Sequence, residues 1–590
     1  MILESLIARA EAEPARTAFS IAARDEIRSQ LSYAQLVQRS LVAAGNLARA
    51  GLRRGERVLV CLPTGEDLLV TMFGVLLAGG VCVPMYPLSV GQGLERWRAQ
   101  IAAIVRVAQP RGAVVLSYSR APMAAALAER RGDSFILEAA QLKGGDPASP
   151  CLPGPTDLAL VQFTSGTTRE PRGVAITHGA LSANVEAIVA ALGLDDRVVS
   201  VSWLPPYHDM GLVGHVFTPI VCGAHQVLLP TSHFLVRPAC WLRLLSRVKA
   251  TQTTSPNTGY SMCVHRVPRE QRAGLDLSHL RQALVGAEPV LPDTLDAFAQ
   301  AFEPAGFSPT AFRPVYGMAE ATLGVTFSLP GGAAVDWVAR NPLAERARAE
   351  PDLPNAPGAR GVVCVGAAAP GHEVRVASAD GQTCEPRQVG EIWFRGPSLM
   401  QSYFNNPQAT SEVFVGDWLR TGDLGYLADG LLYVTGRLKE LVIKGGRNYV
   451  PADIEAAIDG EPEVRRGRVV AFGLQNRTAG TEDIVVVAEV RDRRNVGNLE
   501  VAQRLTGLIT ERAGVRPDRL DLLPAGTLTK TSSGKLQRAA VRRAYEQGVA
   551  LRAPTNGVWL LSPGLELLRG RAWAIAELGR SKARAWLNWR

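Results

Sequence analysis

The sequence predicts an α/β protein with layered α/β units first, a β-rich part next and a small α/β domain last. Three observations carry this reading. In the first third, apolar runs of strand length alternate with helical patterns. From residue 362 onward, short strand-like runs recur at regular spacing. After Gly436 helical and strand patterns alternate once more. A chain of 590 residues has room for roughly three or four domains. Its 47% apolar and 20% charged usage is ordinary for a globular protein and excludes a largely disordered one.

In chain order, residues 57–62 (RVLVCL) read as a buried strand, 66–77 as a helix, and 81–85 and 111–116 as further strands. Residues 158–163 form an apolar strand that runs into a polar turn, and 173–177 read as the strand that leaves it. The stretch 329–360 is rich in Pro, Ala and Gly and reads as a loop or insertion. Short strands are expected at 362–365, 374–376 and 391–395. A helix is expected at 453–458, strands at 468–472 and 484–490, and a helix at 501–513, closing a small domain near Tyr545.

The net charge of +9 is unevenly placed. Residues 551–590 hold six Arg and one Lys against two Glu, and four of the ten Trp. This tail reads either as a terminal helix docked on the body or as a basic amphipathic segment that makes peripheral contact with a membrane surface. The rest of the chain is close to neutral, so no nucleic-acid groove is expected. No signal peptide is visible, and the eight scattered cysteines form no CxxC pair, which argues for a cytoplasmic protein without a disulfide framework.

The strongest local signal is VQFTSGTTREPRGVAIT, residues 161–177. Thr164, Ser165, Gly166, Thr167 and Thr168 offer backbone N–H groups and hydroxyls without bulk, which suits polyphosphate oxygens. The P-loop pattern is absent. Further segments stand out along the chain: SWLPPYHDMGLVG with His208, VGAEP, YGMAE, RTGDLGYL, GRLKELVIKGGRNYVPADIE and TKTSSGKLQR.

Taken in order, these segments resemble the signatures of the adenylate-forming superfamily, and most closely those of its fatty acyl-AMP ligases. Arg169 and Arg172 depart from the superfamily's usual Gly and Lys, and Arg169 resembles the fatty acyl-AMP ligase form. Ala319 stands where Thr is common. The resemblance covers about residues 1–545. It implies an adenylation domain over 1–438, a small mobile domain over 439–545 and the tail over 546–590.

The resemblance also implies roles. Residues 164–168 would cradle ATP phosphates; Gly286, Ala287 and Glu288 would lie along adenine; Tyr316, Gly317 and Met318 would carry the stacking ring. Glu320 would hold Mg²⁺, Asp423 and Arg437 would meet ribose and phosphates, and His208 would sit between nucleotide and acid. Lys439 would be the hinge and Lys535 the catalytic lysine. The implied reaction activates a medium- to long-chain fatty acid with ATP and passes it to the phosphopantetheine of an acyl carrier protein. The 329–360 insertion resembles one that hinders use of free CoA. A fatty acyl-CoA ligase is the alternative, and a non-catalytic lipid- or nucleotide-binding homologue a third.

Overall fold

The apolar runs of the first third become the centre of one sheet. The computed structural model describes residues 1–88, 94–130, 132–164, 171–354, 356, 358–476, 481–530, 536–549 and 551. Strands Phe135–Glu138, Gly112–Val115, Arg57–Cys61, Val81–Pro84 and Leu158–Phe163 lie side by side in parallel. Parallel strands covered on both faces read as continuous apolar runs, which is why the sequence revealed them. Gly173–Thr177 adds antiparallel to Leu158–Phe163, and Ser402–Tyr403, from far along the chain, pairs with its outer edge. Helix Glu66–Leu77 is apolar nearly all round and buried accordingly. It packs on helix Tyr33–Arg49, which Ser32 caps by accepting from the Gln35 N–H. At their contact a Cβ on Gly74 would lie 2.8 Å from that of Ala43, so only glycine fits.

The second sheet begins as a parallel layer of Thr17–Ala23, His225–Leu228, Val199–Ser202, Gln252–Ser255, Gln282–Val285 and Phe312–Gly317. From there its neighbours are antiparallel: Gly324–Phe327, Ala359–Ala368, Leu431–Arg437, Trp418–Ala428, Gly390–Arg395 and Glu373–Ala377. The expected β-rich part is therefore continuous with an α/β layer. The switch occurs in the tight turn over residues 318–323, closed by Met318 N–H donating to Leu323 O at 2.8 Å.

Helix His178–Leu192 touches strands of both sheets. Its Asn184 is fully buried. The Nδ2 donates to Ala321 O, Gly324 O and Ser398 Oγ at 3.2, 2.9 and 3.1 Å, and the Oδ1 accepts from Gly324 N–H at 3.0 Å.

The stretch 329–360 corrects the loop expectation. It contains strand Val335–Ala339, antiparallel to Ala359–Ala368, and helix Arg340–Arg346. Val338 and Ala349 are fully buried. Asp336 accepts from both Arg387 NH groups at 2.9 and 3.3 Å and from the Tyr426 hydroxyl at 2.7 Å. Ala, Arg and Pro gave no strand signal because the order here comes from the cross-strand partner and from the cation and hydroxyl that meet Asp336, all remote in sequence.

The last part contains sheet Val464–Asn476, Thr481–Val490 and Arg519–Leu523, with helices Pro451–Asp459, Leu499–Ala513 and Arg538–Glu546. The insertion faces it. Arg360 Nε lies 3.1 Å and Arg340 NH1 3.8 Å from Asp453 Oδ2, and Arg447 NH2 lies 2.6 Å from Glu345 Oε1. The Trp-rich part of the tail, residues 552–590, lies outside the described residues. Among the described residues no helix is long and apolar enough to cross a membrane.

Asp336→Ala is expected to destabilise the large domain by about 2–3 kcal/mol, since Arg387 and the Tyr426 hydroxyl would lose a shared charged acceptor. Calorimetric unfolding checks this, with Asp336→Asn falling between the two.

Candidate active site

The residues that flank the polar segment after Leu158–Phe163 are paired with each other. Phe163 pairs with Gly173, and Thr164 N–H donates to Arg172 O at 3.1 Å. Ser165, Gly166, Thr167, Thr168 and Arg169 lie outside the described residues. The Gln162 amide donates to Tyr207 O at 2.8 Å, tying this strand to the segment that bears His208. Arg172 lies with its guanidinium carbon 5.1 Å from the centroid of the Tyr403 ring, a cation–π contact.

Tyr403 in turn donates from its hydroxyl to Glu320 Oε1 at 2.7 Å. Glu320 sits in the 318–323 turn, and its carbonyl accepts from Met400 N–H at 2.8 Å. Burial pushes the Glu320 carboxyl up from its ordinary range; the Tyr403 hydrogen bond pulls it back, while the neighbouring Asp209 carboxylate pushes the same way as burial. A carboxylate with a hydroxyl on one oxygen and a second acid nearby is a ready place for a hard cation. Thr322 takes a left-handed φ of 69° in the same turn, and its hydroxyl donates to Ser398 O at 2.7 Å.

His208 Nδ1 lies 2.5 Å from Asp209 Oδ1, so the pair holds the imidazole at the head of helix Asp209–Leu212. The loop over Gly286, Ala287 and Glu288 follows strand Gln282–Val285. A Cβ on Gly286 would lie 2.8 Å from Val315 O, so this loop hugs the neighbouring strand only as glycine. Glu288 Oε2 accepts from Thr258 N–H at 3.0 Å and from its hydroxyl, fixing the loop to helix Asn257–Arg266.

Tyr316 ends strand Phe312–Gly317, and its hydroxyl donates to Asp423 Oδ2 at 2.8 Å. Gly317 admits no side chain, because a Cβ would lie 2.0 Å from Leu323 O. Met318 follows at the start of the turn. Asp423 faces Arg437 directly across the Trp418–Ala428 and Leu431–Arg437 ladder, with Arg437 Nε 3.0 Å from Oδ1. Burial pushes the Asp423 carboxyl up and Arg437 opposes it; the guanidinium is itself raised, chiefly by Asp423. Lys439 is exposed in the short helix Leu438–Glu440 just beyond. Lys535 lies outside the described residues.

Glu320 and Asp423 are thus two carboxylates with little exposure, each under a tyrosine hydroxyl. Tyr403 and Asn184 were missed in the sequence. Each is a single residue in a segment without periodic or spacing signal, and each gains meaning only through a partner more than 80 positions away.

The profile of the AMP-binding enzyme family matches residues 6–404. A Caulobacter vibrioides protein, provisionally named an acyl-CoA synthetase, is 36% identical over 89% of this chain and 92% of its own length. The medium-chain-fatty-acid–[acyl-carrier-protein] ligase JamA of Moorena producens is 32% identical over 93% of this chain and 95% of its own. A solved structure from work on fatty acyl-adenylate ligases of E. coli and L. pneumophila superposes with a TM-score of 0.85. It shares 34% identity and covers 93% of this chain and 97% of that one.

Tyr403→Phe removes the stronger of the hydrogen bonds that hold the Glu320 carboxyl down, so Glu320 should take up its proton at higher pH. Binding of Mg·ATP, followed calorimetrically, is expected to weaken more at pH 6 than at pH 8, since the proton is lost as pH rises.

Proposed function

Since the chain belongs to the AMP-binding enzyme family, whose members are AMP-forming ligases of the adenylate-forming superfamily, we propose that it activates a medium- to long-chain fatty acid with ATP and hands it to an acyl carrier protein. The observation that carries this is the pairing of Glu320 with Tyr403 and of Asp423 with Tyr316. An oxygen of the fatty carboxylate attacks the α-phosphorus of ATP, the bond to pyrophosphate breaks, and acyl-AMP forms. The carrier's phosphopantetheine thiol then attacks the acyl carbon, loses its proton and expels AMP.

Both reactants of the first step are anions, so charge is the main obstacle. Thr164, Ser165, Gly166, Thr167 and Thr168 donate to the phosphates, and Lys535 meets the charge that shifts onto pyrophosphate. Glu320 is the residue that would hold Mg²⁺, which would supply charge neutralisation on the phosphates. Among the described residues no three acidic, His or Cys groups form a closed cage. A donor set built on one protein carboxylate fits a cation that keeps water and phosphate oxygens as its other ligands. Gly286, Ala287, Glu288, Gly317 and Met318 line the adenine with the Tyr316 ring, Asp423 accepts from the ribose hydroxyls, and Arg437 serves ribose and phosphates. His208, braced by Asp209, stands between nucleotide and acid.

The acid is read as fatty from the resemblance to fatty acyl-AMP ligases and from the name of JamA, which specifies a medium-chain fatty acid. Tyr260 of helix Asn257–Arg266 packs with Trp203, Phe234 and Trp241 in buried core. Each buried CH₂ contributes at most about 0.8 kcal/mol, enough to hold a long chain without a polar anchor. JamA, by its name, loads an acyl carrier protein, and this chain shares most of its length. We place the small mobile domain at 439–545, turning about Lys439 in a cytoplasmic enzyme. The ordered 329–360 insertion supports the carrier over CoA, because it grips Asp453 on that domain. The name of the Caulobacter relative favours the other acceptor, free CoA.

Incubation with ATP, Mg²⁺, labelled C12 acid and either CoA or a phosphopantetheinylated carrier separates the two. Acyl-AMP that persists with CoA and discharges onto the carrier is expected; rapid acyl-CoA would make this a CoA ligase. Lys535→Ala should slow acid-dependent pyrophosphate exchange by about a hundredfold or more. Asp453→Asn, which loosens the grip of Arg340 and Arg360, is expected to raise acyl-CoA formation relative to carrier loading, measured in the same assay.

A further inference from the structure

A row of alternating charges runs from Asp423 to the base of the segment that carries Lys535. Arg437 lies on Asp423 at 3.0 Å. Glu440, at the end of helix Leu438–Glu440, pairs with Arg538 NH1. Arg538 turns its other edge to Glu455, with NH2 2.8 and 2.9 Å from the two carboxylate oxygens. Arg437 is raised by Asp423 first and, against the opposing effect of burial, by Glu440 next, so Glu440 acts on both cations of the row.

Arg538 is the first residue of helix Arg538–Glu546 and directly follows a hairpin. The arms of that hairpin are paired: Lys530 bridges Leu536, Gln537 N–H donates to Thr529 O at 3.1 Å, and the Thr529 hydroxyl donates to Gln537 Oε1 at 3.1 Å. Residues 531–535, Lys535 among them, follow Lys530 and precede Leu536 in the chain and lie outside the described residues. Whatever holds Arg538 therefore holds the paired residues that flank that segment.

At the other end of the row, both oxygens of Asp423 are already engaged. Oδ1 faces Arg437 and Oδ2 accepts from Tyr316. A ribose that donates to this carboxylate must compete with at least one of them. Arg437 is the exposed partner and Tyr316 the less exposed one, so Arg437 is the one that yields. The next carboxylate along the chain from Arg437 is Glu440, which is at the same time an anchor of Arg538. Glu455 alone already gives Arg538 a bidentate partner inside the small domain, and its Oε1 also accepts from Ala471 N–H at 2.9 Å. Glu440 adds a link that starts beside the hinge residue Lys439.

We propose that Glu440 and Arg538 are positioning residues that couple nucleotide occupancy at Asp423 to the placement of the hairpin bearing Lys535. The coupling rests on the proposed roles of Asp423 and Lys535. When ribose takes Asp423, Arg437 shifts toward Glu440, the charge on Glu440 is shared, and the hairpin base moves with Arg538.

Two readouts on the full chain test this. Hydrogen–deuterium exchange over residues 529–537 is measured with and without AMP in wild type, Glu440→Gln and Glu440→Asp. AMP is expected to change exchange severalfold in wild type and in Glu440→Asp, and to leave Glu440→Gln unchanged. An equal response in Glu440→Gln, or none in wild type, overturns the coupling. In parallel, Glu440→Gln should slow acid-dependent pyrophosphate exchange by about tenfold, the cost of one charged hydrogen bond. Its transfer of acyl from synthetic acyl-AMP to the carrier should stay within about twofold, a span of under half a kcal/mol. Equal losses in both half-reactions would mean a merely structural pair and would overturn the coupling. A wild type without pyrophosphate exchange but with the AMP response would refute the adenylation reading and leave the coupling standing.

Discussion

The fully buried amide of Asn184 is the constraint on which the site depends. It sits on a helix that touches strands of both sheets, and its four hydrogen bonds reach Ala321, Gly324 and Ser398. Those residues bracket the turn where the second sheet passes from parallel to antiparallel. Backbone carbonyls at such a switch have no ladder partner, and leaving them dry and unpaired costs about 1–3 kcal/mol each. One side chain satisfies two of them, Ala321 O and Gly324 O, and so fixes the turn that presents Glu320. The acid is positioned by an amide it never touches.

The same economy recurs at the two carboxylates. Burial alone would favour the protonated form of both Glu320 and Asp423. Each is given a tyrosine hydroxyl, from a strand of the opposite sheet for Glu320 and from another strand of the same sheet for Asp423. The hydroxyls stabilise charge without neutralising it.

The first sheet was legible in the sequence because its strands are apolar on both faces, and helix Glu66–Leu77 has the bounds its pattern predicts. The motif residues were legible as clusters, and the structure gathers Tyr316, Asp423 and Arg437 within hydrogen-bonding reach. What stayed hidden has a common cause. Tyr403, Asn184 and Asp336 act through partners brought close only by the fold, and strand Val335–Ala339 owes its order to a neighbour across the sheet. Local patterning carries no trace of such pairings. The continuity of the β-rich part with the second sheet was hidden likewise, since strand adjacency is a property of the whole chain.

The two-residue strand Ser402–Tyr403 has one more consequence. By pairing with Gly173–Thr177 it covers a strand whose residues are almost all buried and apolar. An uncovered edge of that kind is a template for another copy of the chain. The peptide that brings Tyr403 to Glu320 is therefore also a guard against self-association.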